Sequence, residues 1–111
     1  MQVEFPDART QALLNAGREL TRAFGPQCAR LIRRRLDDLR AIPSIGDAWG
    51  LPGRLEELKG ERKGQLSIRL VGALRLILRP SRNPLPIKAG GGIDWKQIRA
   101  VTILGVENYH D

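Results

Sequence analysis

QLSIRLVGALRLILR, residues Gln65 to Arg79, alternates apolar and polar side chains on both sides of Val71-Gly72-Ala73. Period-two alternation is the mark of a strand with one buried face, so the stretch predicts two antiparallel strands joined by a three-residue turn. With that turn, Leu70 faces Leu74, Ile68 faces Leu76 and Leu66 faces Leu78, all on one side. Those six side chains make a core-facing sheet surface. The same register sets Arg69 opposite Arg75, and Gln65 opposite Arg79, on the other side. Like charges directly across a strand pair are destabilising. A wet face would tolerate them, and an anion between the two guanidinium groups would use them; the second reading is preferred.

Working outward, Ile45 to Gly53 is loop punctuated by Gly and Pro, and the segment before it reads as helix. Ala29, Ile32, Leu36 and Leu39 recur at helical spacing in a helix that opens at Pro26 and stops at Pro43. An earlier helix is expected from about Ala8 to Phe24, with Asp7 as its cap and Leu13, Gly17, Leu20 and Phe24 as its buried stripe. The Gly25-Pro26 junction is so short that the two helices form a hairpin. Gln2 to Phe5 reads as an opening strand and Arg99 to Val106 as a closing one, central or edge. Pro80 to Ile98 is too long for an ordinary hairpin connection, so it is a functional loop or a mobile insertion, with Asp94 and Trp95 anchoring its end. The order is β-α-α-β-β-β. This predicts an α+β class, one domain over residues 1–111, with a small, mainly antiparallel sheet packed on an N-terminal helical hairpin and its other face open and arginine-lined.

The composition, 41% hydrophobic and 28% charged, is that of a folding chain and not of a disordered one. No long apolar run and no basic-then-apolar leader is present, which predicts a cytoplasmic protein without membrane contact. Cys28 stands alone, so no internal disulfide or cysteine metal site is expected; it reads as a small buried apolar residue. The net charge is +7, carried by 15 Arg and 4 Lys. It divides as +3 through Arg54 and +4 after it, so no tail holds the excess. Arginine's planar fork of donors suits phosphate, and a polyanionic partner follows as the first functional expectation. A second basic patch, Arg30, Arg33, Arg34, Arg35 and Arg40, lies on the expected solvated side of the second helix, relieved by Asp37 and Asp38. It is either a solvated face or a surface for nucleic acid or an acidic partner segment.

No P-loop, zinc-ligand spacing or nucleophile elbow occurs, and one His excludes most histidine metal sites. Neither metal nor cofactor is expected. Glu56, Glu57 and Lys59 precede the hairpin, Arg69 and Arg75 lie on it, and Tyr109 and His110 follow the last strand. That set suits RNA cleavage by attack of a 2′-hydroxyl on its own phosphate, which needs a base, cations for the building charge and an acid, with no metal. Tyr109 could stack on a splayed base.

Jointly, GRLEELKGERKGQLSIRL, then LRLIL, then VTILGVENYHD resemble the HigB-type killer toxins of the RelE/ParE superfamily, over roughly Leu51 to His110. The likeness is greatest to a subgroup with a Pro/Gly-containing insertion before the last strand followed by an I-D-W-like segment, here Gly92-Ile93-Asp94-Trp95. The resemblance implies the toxin of a type II toxin–antitoxin system, of the plasmid-maintenance killer kind. It would act as an endoribonuclease (mRNA interferase) on the ribosome, neutralised by a HigA-like helix-turn-helix antitoxin through which alone it would meet operator DNA. It implies catalytic roles for Arg75, Tyr109, His110, Lys59 and Glu56, and RNA contacts from Arg62, Arg69, Arg79 and Lys63. Arg30, Arg33 and Arg34 would meet the antitoxin. Three positions depart from the family pattern: Asn108 replaces an acid before Tyr-His, Glu56 stands where some members have His, and Leu74 replaces an aromatic. Asn keeps hydrogen bonding but loses basicity, and Glu is a weaker base at neutral pH. A non-catalytic module of the same fold, binding antitoxin or nucleic acid, is the alternative reading; a gyrase poison ranks below it.

Overall fold

The computed structural model describes residues 1–108. Its elements run β1 (Gln2–Glu4), α1 (Ala8–Asn15), α2 (Gly17–Phe24), α3 (Pro26–Ala41), β2 (Glu56–Glu57), β3 (Leu66–Arg69), β4 (Leu74–Pro80) and β5 (Ala100–Asn108). Single 3-10 turns lie at Ile45–Asp47, Gly60–Arg62 and Trp95–Gln97. One five-stranded sheet has the order β1-β5-β4-β3-β2. Only the β1–β5 pairing is parallel, and β5 is therefore a central strand.

The hairpin has the expected register: Leu66 pairs with Leu78, Ile68 with Leu76 and Arg69 with Arg75. Leu66, Ile68, Leu76 and Leu78 join Val101 and Ile103 of β5 against Ala29, Ile32, Leu36 and Leu39 of α3 in one core. Each such aliphatic side chain contributes about 1.5–3 kcal/mol on full burial. α3 starts with Pro26 in its first turn and ends before Pro43. The amino group of Met1 donates to the carbonyls of Leu39, Arg40 and Ile42, which ties β1 to the end of α3. Cys28 is buried on α3, and burial pushes its thiol pKa up, against a hydrogen bond with the Val71 backbone.

The expected continuous helix from Ala8 to Phe24 is two helices. Ala16 is extended, with φ −97° and ψ 106°, and divides α1 from α2. The break re-phases the buried stripe: Leu14 is buried in place of Leu13, together with Leu20, while Phe24 is half-buried. On an unbroken helix Leu14 and Leu20 would point about 120° apart, and the interruption at Ala16 brings both into one core. Gly17 follows at the break, where a Cβ would sit 2.9 Å from Nη1 of the exposed Arg33, a contact that flexible side chain could give way to.

Arg35 is also corrected, from the solvated side of α3 to the interior. It is 9% exposed and its Nη1 donates to Asp38 at 3.0 Å. Gly53, at φ +107°, makes room for it: a Cβ there would lie 2.5 Å from Ile68 and 3.2 Å from Nε of Arg35. The carbonyl of Gly53 accepts from the Arg69 N–H at 2.6 Å, so the loop before β2 is pinned to the hairpin.

The segment between β4 and β5 folds back on itself through an Ile87–Ile93 bridge. Ile93 and Ile98 enter the core, and Trp95 packs on Trp49 with ring centroids 5.4 Å apart. Trp95 is thus the expected anchor. Asp94 bonds within its own turn, accepting from Gln97 at 2.7 Å.

Candidate functional site

The sheet face turned away from the helices carries three rows set by strand register. Arg69, Arg75 and Glu107 share one row. Glu56, Ser67, Ile77 and Gly105 share the next, and Arg79 stands beside Thr102 in the third. The expectation of a uniformly open face is corrected in the middle row, where Ser67 and Ile77 are buried.

The geometry of Arg62 explains how that row is crossed. Its Nε donates to Gln65 at 3.0 Å, and its two terminal nitrogens donate to the two carboxylate oxygens of Glu107 at 2.9 and 2.6 Å. Gln65 precedes β3 and Glu107 lies two rows further on, so the side chain spans the face over the Ile77 row. A bidentate guanidinium–carboxylate pair is the strongest form of such a contact. Its exposure to solvent keeps its net contribution small, roughly 0.2–1 kcal/mol.

Arg75 turns toward its own hairpin: Nη1 donates to the carbonyls of Gly72 and Leu74, both at 2.9 Å. The guanidinium of Arg69, by contrast, makes no hydrogen bond or ion pair among the described residues. Glu107, the one acid in this row, is occupied by Arg62. What results is a row with two arginines side by side, whose natural third partner is an anion with several oxygens.

Of the other expected site residues, Lys59 and Lys63 flank the 3-10 turn that carries Arg62, and both are exposed. Glu56 is exposed on the edge strand β2, across from Ser67. Arg79 stands apart from the Arg69 row and lines a separate groove of about 290 Å³ with Lys63, Gln65, Arg82 and Asn83. Arg82 is not expected in the site from the sequence; its only signal is a cation two residues after β4. Tyr109 and His110 lie outside the described residues. Arg30, Arg33 and Arg34 are exposed and line a groove of about 580 Å³ along α3 with Leu31, Asp37 and Asp38. That groove is on the helical side, away from the arginine row.

Among the described residues no group of three or more His, Cys, Asp or Glu is placed to hold a metal ion. No helix among them is long and apolar enough to cross a membrane.

Compared with known proteins, the chain matches no family model and no curated protein sequence. It is similar in structure to a YoeB/ParE toxin from Agrobacterium tumefaciens, with a TM-score of 0.59 over 99% of this chain and 100% of that one, at 12% sequence identity. What the likeness shows is the fold, a mixed α+β one that in this chain sets three helices on a five-stranded sheet.

Proposed function

We propose that this chain is the toxin of a two-gene toxin–antitoxin pair, a HigB-type endoribonuclease that cleaves mRNA on the ribosome without a metal. The observation that carries the reading is the Arg69–Arg75 row on the outer face of a toxin-like fold. Two arginines paired across adjacent strands would offer forked donors to the non-bridging oxygens of one phosphate, where charge builds during cleavage, Arg75 exchanging its carbonyl partners for it. The 2′-oxygen attacks the adjacent phosphorus, the bond to the 5′-oxygen breaks, and the products carry a 2′,3′-cyclic phosphate and a 5′-hydroxyl. Glu56 or Lys59 takes the proton of the 2′-hydroxyl, and His110 or Tyr109 supplies the one needed by the leaving oxygen or stacks on the base. Arg62, Lys63 and Arg79 hold the flanking phosphates. A HigA-like helix-turn-helix antitoxin neutralises the protein, with Arg30, Arg33 and Arg34 as its contact on α3.

Arg75's bonds to Gly72 and Leu74, and Arg62's to Glu107, favour a second reading, in which the same fold binds without cleaving because its cations are already engaged. Expression from an inducible promoter, with and without the adjacent gene, separates the two. Growth arrest with fragmented mRNA, relieved by the neighbour, is expected; unchanged growth at good soluble yield supports the binding module instead.

A further inference from the structure

Trp49 and Trp95 form a notch of about 220 Å³ with Gly46, Lys88, Asp94 and Lys96, where the segment before β5 meets the turn after α3. We propose that this notch is a second nucleotide site, in which one base of a single-stranded RNA stacks on Trp49 and its phosphates are held by Lys88 and Lys96.

The site is built rather than incidental. The Ile45 N–H donates to the Ile98 carbonyl at 3.0 Å, and Gly46 lies so close that a Cβ there would be 2.5 Å from Cγ of Lys96 and 3.1 Å from its backbone. The two indole planes meet at 53°, which leaves a wedge instead of a closed stack. Trp49 stays 44% exposed, although a ring used only to pin the loop would be expected to bury its faces. Ile87, the other exposed large apolar side chain among the described residues, directly precedes Lys88.

Charge and size choose the occupant. Two lysines, Lys88 and Lys96, line the notch with the rings, and the carboxylate of Asp94 is engaged by Gln97. The notch has room for one planar group with an anion beside it, and is too small for the row of side chains that a helix or strand would insert. Aromatic stacking beside cations is the chemistry by which single strands are held without sequence preference. The proposal rests on the reading that the chain binds RNA, and adds a contact remote from the arginine row.

Trp49 and Trp95 are the only tryptophans of the chain, so tryptophan fluorescence reports this notch alone. The experiment titrates the full chain with a mixed-sequence 12-nucleotide single-stranded RNA, following tryptophan emission with unlabelled RNA and overall binding by anisotropy of a fluorescein-labelled copy. Expected are quenching that tracks the anisotropy rise, binding weaker by on the order of tenfold in Trp49→Ala, and near wild-type binding in Trp49→Phe. Because Trp49→Ala removes packing against Trp95, Lys88→Gln is the second variant, its side chain having no hydrogen-bond or ion-pair partner among the described residues. It should lower the slope of log affinity against log salt by about one unit or less. Anisotropy that rises with unchanged tryptophan emission overturns the notch and leaves the RNA reading standing. No anisotropy change overturns both. Quenching by an acidic aromatic peptide but not by RNA assigns the notch to a protein partner and overturns the proposal.

Discussion

Glu107 is the residue on which the charge of the outer face turns, because among the described residues it alone offers a carboxylate to the arginine row and it holds Arg62 by both oxygens. Substituting Glu107→Gln breaks the ion pair while keeping the side chain's shape. RNA affinity should rise several-fold and its salt dependence steepen by up to about one unit, since one negative charge leaves the arginine row. The stability cost should stay within about 1 kcal/mol, as for an exposed pair. Weaker RNA binding by a folded Glu107→Gln protein would mean that Arg62 acts in RNA binding only when held by the acid. Arg75→Ala should lower cleavage by on the order of a hundredfold, the usual loss for one donor at a developing charge. Circular dichroism should show that the variant folds, its melting point lowered by a few degrees at most from the lost bonds to Gly72 and Leu74.

At the scale of elements, Asp7 caps α1 by accepting from the Thr10 N–H at 2.7 Å, and that bond holds its carboxyl below the ordinary value of 3.8. A carboxyl depressed in the folded state adds stability above its unfolded pKa and loses it as the pH falls through the folded one. The melting-point deficit of Asp7→Ala should therefore be constant near neutrality and shrink below about pH 4, as a pH series of thermal melts would show. Gly53→Ala tests the loop that covers Arg35. A methyl group at φ +107°, driven against Ile68, should cost about 1–3 kcal/mol in chemical denaturation. Elements governed by their own periodicity were legible in the sequence: the β3–β4 register followed from alternation, and the α3 stripe from helical spacing. Features set by distant partners were not. The break at Ala16 goes with Leu14 and Leu20 packing into one core, Arg35 is buried by a loop far along the chain, and Arg62 meets an acid 45 residues away. Of the candidate site, the facing of Arg69 and Arg75 could be read directly, while the engagement of Arg62 and Arg75 by groups of this chain could not.

Across the whole molecule, the +7 charge is spread over both halves, and the fold sorts it onto two faces. The outer sheet face gathers Arg69, Arg75, Arg79, Lys63 and Arg82, and the helical face gathers Arg30, Arg33 and Arg34. Five phosphate contacts on the first, with the charge of Arg62 offset by Glu107, would give a salt slope of about −3 to −4 for single-stranded RNA, measurable by anisotropy between low and physiological salt. Charge reversal at Arg30 and Arg34 should weaken the complex with the neighbouring gene's product and leave that slope in place. Cleavage of mRNA at the arginine row is tested by a reconstituted translation reaction with a defined mRNA, in which new ends are mapped and their chemistry identified. Fragments with 5′-hydroxyl and 2′,3′-cyclic phosphate ends are expected, reduced on the order of a hundredfold by Arg75→Ala; intact mRNA in the presence of folded wild-type protein would rule the cleavage out.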